Sequence, residues 1–278
     1  MNIVINSKQA NPAYMKNGYN NGTEFWNSNY RPYIRTINFG NDLSNLPSNC
    51  TESNLCWDIT ESRDNKVYGY LIDSGLKDST DSTKSLYNLY IVIENEIFAP
   101  SSCSWMFANF DNLILINLNN NFNTIKTIYM AYIFYKGSLL SALDLSNFNT
   151  TNVINMSGMF TGCSNIEQLN LSNFDTSKLT SMWHMFYGST SLTTLELSSF
   201  NTINVTDWTI AFYGCTKINT TITIRNASIT DYAEVFKDAA TDPNAKIIVN
   251  YTSETETLVD KMIATKSSNS NIIKGKQI

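Results

Sequence analysis

Between Leu113 and Val249 short apolar-x-apolar triplets alternate with polar, turn-rich stretches, and the alternation repeats. Asn-Phe or Ser-Phe recurs at Phe122, Phe148, Phe174 and Phe200, every 26 residues, and a second Phe follows each twelve residues on, at Phe134, Phe160, Phe186 and Phe212. The triplets Ile116-Asn-Leu118, Leu143-Asp-Leu145, Leu169-Asn-Leu171 and Leu195-Glu-Leu197 come shortly before the first Phe, with Leu113, Leu140, Ile166 and Leu192 three residues upstream. Such alternation puts both apolar residues on one face of a short strand and the middle residue on the other. After Phe148, a Thr/Asn-rich start leads into Val153, Met156, Met159 and Phe160 at helical spacing, which predicts a short helix capped by Asn149 or Thr150. Each unit covers its apolar face only by stacking on the next. The pattern therefore predicts an α/β solenoid, a leucine-rich-repeat stack of about 26-residue repeats, each one short parallel strand plus a short helix. Its triplets would be neighbouring rungs about 4.8 Å apart, with Phe160, Phe186 and Phe212 as an internal column.

The flanks read as covers for the open ends. Residues 1–30, rich in Asn, Gly and Tyr, are expected to form an arm or attachment segment. Residues 31–103 form a β-rich N-terminal cap, with strands at Tyr33–Phe39, Val67–Ile72 and Leu89–Ile93, and 104–225 are the repeats. Residues 226–278 form an α/β C-terminal cap: a helix over Thr230–Ala239, a strand at Ile247–Val249, and a second helix opened by the capping-box pattern Ser253-x-x-Glu256.

The repeat residues resemble a known family. The run Leu143-Asp-Leu-Ser-Asn-Phe-Asn-Thr-Thr-Asn-Val-Ile-Asn-Met-Ser-Gly-Met-Phe-Thr-Gly-Cys163, and its echo from Leu169 to Ser189, look like the BspA-like leucine-rich-repeat surface proteins of bacteria. The likeness is close from Trp105 to Cys215. It implies an extracellular recognition or adhesion role and carries over no catalytic residue.

Composition narrows the function classes. The net charge is −5 and no Lys/Arg cluster occurs, which argues against nucleic acid as a partner. The longest apolar stretches, such as Ile128–Tyr135, are far below the ~20 residues of a membrane span. No signal peptide is visible at Met1–Lys8, so an extracellular, cell-surface or virion location would be reached by another export route or after a removed leader. Asn fills about one position in seven, which suits arrays of turns. The Asn, Thr and Ser columns, such as Thr124/Thr150/Thr176/Thr202, invite a calcium reading. Only Asp175 among Asn123, Asn149, Asp175 and Asn201 is charged, so hydrogen-bonded ladders are expected instead, with no metal and no cofactor.

Five cysteines without a C-x-x-C pair make neither a disulfide framework nor a zinc signature. Cys163 and Cys215 are expected as free, buried thiols, and Cys50 with Cys56 is the pair best placed to bridge. With His184 the single histidine and no phosphate-cradling glycine motif, no catalytic residue is assigned. Carboxylate pairs such as Glu94/Glu96 and Glu254/Glu256 are read as solvated.

Positions that vary between repeats and point outward are free to serve a ligand. On the strands these are Ala142/Asp144, Gln168/Asn170, Thr194/Glu196 and Thr221/Thr223. On the helical side they are Trp183 and His184 beside Tyr135, Tyr187 and Tyr213, an aromatic ridge of the kind that anchors protein and carbohydrate contacts. Trp208 aligns with Met130, Met156 and Met182 and is read as core. The leading expectation is a non-enzymatic module that binds an extracellular protein or glycan through its repeat surface. A phage or prophage tail component for host recognition, and a polysaccharide hydrolase using paired carboxylates, are the alternatives.

Overall fold

A computed structural model describes residues 13–14, 29–60, 66–93, 97–119 and 121–278. Its strands are β1 (Ala13–Tyr14), β2 (Ile34–Gly40), β3 (Cys56–Asp58), β4 (Tyr68–Lys77), β5 (Ser85–Val92), β6 (Ile97–Phe98), β7 (Leu115–Asn117), β8 (Phe122–Asn123), β9 (Gln168–Asn170), β10 (Thr194–Glu196), β11 (Asn219–Ile224), β12 (Lys246–Tyr251) and β13 (Ile272–Gln277). The single α-helix among the described residues, α1 (Glu256–Ile263), lies between β12 and β13. Two five-stranded sheets run β3-β4-β5-β2-β7 and β13-β12-β11-β10-β9, and a three-stranded one runs β1-β6-β8. Most of the expected 1–30 arm lies outside the described residues; of what is described, Ala13–Tyr14 pairs in parallel with Ile97–Phe98.

The helix–strand solenoid, and with it the leucine-rich-repeat reading, is corrected. The segments expected as repeat helices are turns, and so is Thr230–Ala239. The reason is where the backbone donors go. An α-helix bonds each N–H to the carbonyl four residues back. Here the N–H of Phe134, Phe160, Phe186 and Phe212 donates to the O of Met159, Met185, Ala211 and Val235, one turn ahead, at 2.9–3.1 Å. Each turn also holds two left-handed residues four apart, such as Tyr132 (φ 57°) and Lys136 (57°), Gly158 (62°) and Gly162 (71°), His184 (58°) and Gly188 (68°). A right-handed helix cannot pass through such residues. Parallel bridges link Ser102, Tyr129, Asn155, Ser181, Asp207 and Asp231 in sequence, so the turns are joined by a sheet-like ladder.

The rungs are also less regular than the triplet pattern implies. Leu169 and Leu195 pair directly, as do Asn170 and Glu196. The triplet at 116–118, however, belongs to the other sheet: Ile116 pairs with Ile37. Leu143–Leu145 forms no strand, and the two sheets are interrupted there.

The core follows the aromatic period. Phe107, Phe134, Phe160, Phe186, Phe212 and Phe236 are buried and stack in order with centroid separations of 5.4–5.9 Å. Trp208 is buried among them. Two polar devices tie the turns together. The buried hydroxyls of Thr124, Thr150, Thr176 and Thr202 donate to the carbonyls of Asn149, Asp175, Asn201 and Thr223 at 2.7–3.2 Å, which is the ladder expected of that column. At the position three residues after the second Phe, Cys163 Sγ, Ser189 Oγ and Cys215 Sγ donate to the carbonyls of Phe134, Phe160 and Phe186 at 3.3, 2.9 and 2.9 Å. Cys163 and Cys215 are free and buried, and burial pushes each thiol up to about 12. Cys50 and Cys56 are disulfide-bonded, their Cα atoms 4.8 Å apart.

In the C-terminal region β12 contains the expected Ile247–Val249 strand. The residue before α1 is Thr255 rather than Ser253, and its hydroxyl donates to Ile224 O at 2.9 Å. Glu256 makes no capping box; it pairs with Lys274 at 2.9 Å. No helix among the described residues is long and apolar enough to cross a membrane.

Candidate functional site

The outward strand residues gather on one face. Gln168 pairs with Thr194, and Thr194 with Asn219, which pairs with Lys246, so these four side chains form one row across β9, β10, β11 and β12. Two residues further on, Asn170 pairs with Glu196 and Thr221 with Ile248. Alternation turns Leu195, Ile222 and Val249 to the core and leaves Thr194, Glu196 and Thr221 exposed and Thr223 half-buried. Ala142 and Asp144 are exposed too, but lie at the interruption and outside this sheet.

β10 and β11 stay paired for one residue only, at Thr194 and Asn219. β10 then turns away at Ser198–Ser199, whereas β11 runs on to Ile224 beside β12. The divergence opens a groove of about 520 Å³, lined by outward Thr194, Glu196, Thr221 and Thr223, with Asn219, Arg225, Lys246 and Asn250 completing its rim. Glu196 Oε1 accepts the Ser198 N–H at 2.8 Å, which holds that carboxylate at the wall. Neither Arg225 nor Lys246 enters an ion pair among the described residues. A second hollow, about 380 Å³, lies at the sheet interruption between Ile116–Asn119 and Asp144 and Asn147. The Ser146 hydroxyl and N–H hold the Asp144 carboxyl below its ordinary pKa.

The aromatic residues assemble on the opposite, turn side. Trp105 stacks on Tyr132 at 4.3 Å, and Tyr135 meets both edge-on. Trp183 stacks on His184 at 4.0 Å, His184 on Tyr187 at 5.4 Å, and Tyr187 lies 5.1 Å from Tyr213, over which Lys237 sits. Their ring faces are therefore largely spent on one another, and Trp183 and Tyr187 keep 37% and 36% of their surface exposed. Tyr132 owes its place to Gly158: a Cβ there would come within 2.1 Å of the ring. Burial draws the His184 pKa below the usual histidine value, and Asp207 opposes that shift. The ridge acts chiefly as a brace between turns, so the open polar chemistry is on the strand face.

Comparing repeats with one another finds Thr194, Glu196, Thr221 and Thr223, but misses Asn219, Arg225, Lys246 and Asn250. Arg225 follows Ile222-Thr-Ile224 and Lys246 and Asn250 flank Ile247-Ile-Val249, triplets that continue the series without the regular 26-residue spacing, so no repeat partner marks these residues. The available signal was the length of the apolar alternation after Asn219, which makes β11 twice as long as β10. Of the carboxylate pairs, Glu94/Glu96 lies outside the described residues, and Glu256 is tied to Lys274.

Residues 101–224 match the model of a family described as a Mycoplasma protein of unknown function, DUF285. The matched stretch covers the bridges of the turn ladder from Ser102 to Asp207 and the strands β7 to β11, and it stops one residue before Arg225. No curated protein and no solved structure matches the chain.

Proposed function

We propose that the protein is a recognition module that holds an extracellular protein or glycan on the strand face of its repeats, without covalent chemistry. The supporting observation is the groove between β10 and β11, open to solvent, where hydroxyl and amide side chains such as Thr194, Thr221, Thr223 and Asn250 stand beside the apolar Leu197, Phe200 and Ile248 on and around the paired strands. Polar groups fixed in this way orient a ligand at little entropic cost. The likeness of the repeats to bacterial surface proteins agrees with an extracellular or cell-surface location.

The test is a binding screen against purified glycans and extracellular matrix proteins, repeated with Thr221→Arg, which fills the groove, and with Tyr187→Ala on the turn side. Binding abolished by Thr221→Arg and kept by Tyr187→Ala supports the reading. Binding that ignores Thr221→Arg places recognition elsewhere, and release of new reducing ends from a bound polysaccharide would make the protein an enzyme. Protease accessibility on intact cells tests the location.

A further inference from the structure

The two cations of the groove stand at its opposite ends. Lys246 opens β12 and pairs with Asn219, the first residue of β11, whereas Arg225 follows the last. Six residues at about 3.3 Å each separate the two levels by about 20 Å along the strand direction. Between them the floor offers the hydroxyls of Thr221 and Thr223. Both cations are exposed, neither has an ion-pair partner among the described residues, and the chain as a whole is acidic. The one groove carboxylate, Glu196, is engaged by the Ser198 N–H at the wall.

Resting on the strand-face reading above, we infer that the groove takes an acidic oligosaccharide long enough to span about 20 Å, whose carboxylates meet Lys246 and Arg225 while its hydroxyls meet the threonines. Hydroxyl and amide groups satisfy a sugar's donors and acceptors, and each charge-assisted contact is stronger than a neutral one. An acidic peptide matches the charges, but between its carboxylates it offers only backbone amides where a sugar offers a hydroxyl at nearly every carbon to the threonines of the floor, so it is the poorer fit.

Calorimetry on the full chain with a uronic-acid hexasaccharide, its carboxyl-reduced neutral counterpart and an acidic hexapeptide decides between these. The uronate is expected to bind, with affinity falling as salt rises. Removing its carboxylates, or changing Arg225→Gln or Lys246→Gln, should weaken binding about tenfold for each charge pair broken. Both side chains are exposed, so thermal melting should be unchanged in these variants and reports on folding. No binding of the uronate, equal binding of the neutral sugar, or tighter binding of the peptide overturns the acidic-sugar inference. The strand-face reading has a separate test in Thr221→Arg: if the uronate binds and that variant leaves its affinity unchanged, the groove itself is the wrong place.

Discussion

The turn side and the strand side of the repeats are built from the same 26-residue period and put it to different use. On the turn side almost every repeated group is consumed by its neighbour: N–H groups bond one turn ahead, phenylalanines stack, threonine hydroxyls and cysteine thiols cap carbonyls, and the exposed aromatic rings cover one another. On the strand side β9 and β10 are three residues long and β11 and β12 six, the rungs are interrupted at Leu143–Leu145, and outward side chains such as Thr194 and Thr221 stay exposed. Rigidity thus comes from one side, and the chemistry available to a ligand lies on the other. A repeated column of residues is therefore evidence of packing until its side chains are shown to be free of one another.

Substitutions on the two sides should separate them, beginning with the core. Phe186 stacks between Phe160 and Phe212 and is fully buried, so Phe186→Ala should cost on the order of 3–5 kcal/mol in denaturant unfolding. A loss below about 1 kcal/mol would break the assignment of stability to the turn side.

Two glycines sharpen it. Gly158 is left-handed and lies under the Tyr132 ring, so Gly158→Ala adds strain and a clash and should cost about 2–3 kcal/mol. Gly188 is equally left-handed but has nothing within 4 Å of an added Cβ, and Gly188→Ala should cost about 1 kcal/mol. Equal losses would mean that the ring contact contributes nothing.

On the strand side, Thr194→Ala should shift stability by less than about 0.5 kcal/mol, because this hydroxyl faces solvent. A large loss would show that the open face is structural after all. The smallest effect is a chemical one. With thiols pushed up to about 12 and buried, Cys103, Cys163 and Cys215 should resist alkylation in the native protein at pH 8 and react after unfolding. Rapid native labelling, read by mass spectrometry, would show that the turn ladder opens readily.

Much of the inner architecture is legible from spacing. The anchors at Phe134, Phe160, Phe186 and Phe212 announce the stacked column, and the equivalence of Trp208 with Met130, Met156 and Met182 announces its burial. The parity of the triplets assigns Gln168, Thr194 and Thr221 to the outer face. The helix reading fails because Val153, Met156, Met159 and Phe160 bury alike in a helix and in a turn. What distinguishes the two is the acceptor of each N–H.

By itself, then, the sequence determined the period, the inward residues and the outward ones, since these depend on side-chain polarity and local spacing. The tertiary structure alone decided that the turns replace helices, because the competing acceptors lie some 25 residues away along the chain and are supplied only when the next turn is in place. It also decided where the face opens: the groove exists because β10 ends while β11 continues, and because Arg225 and Lys246, unmarked by any repeat, are carried to its two ends by the pairing of β11 with β12.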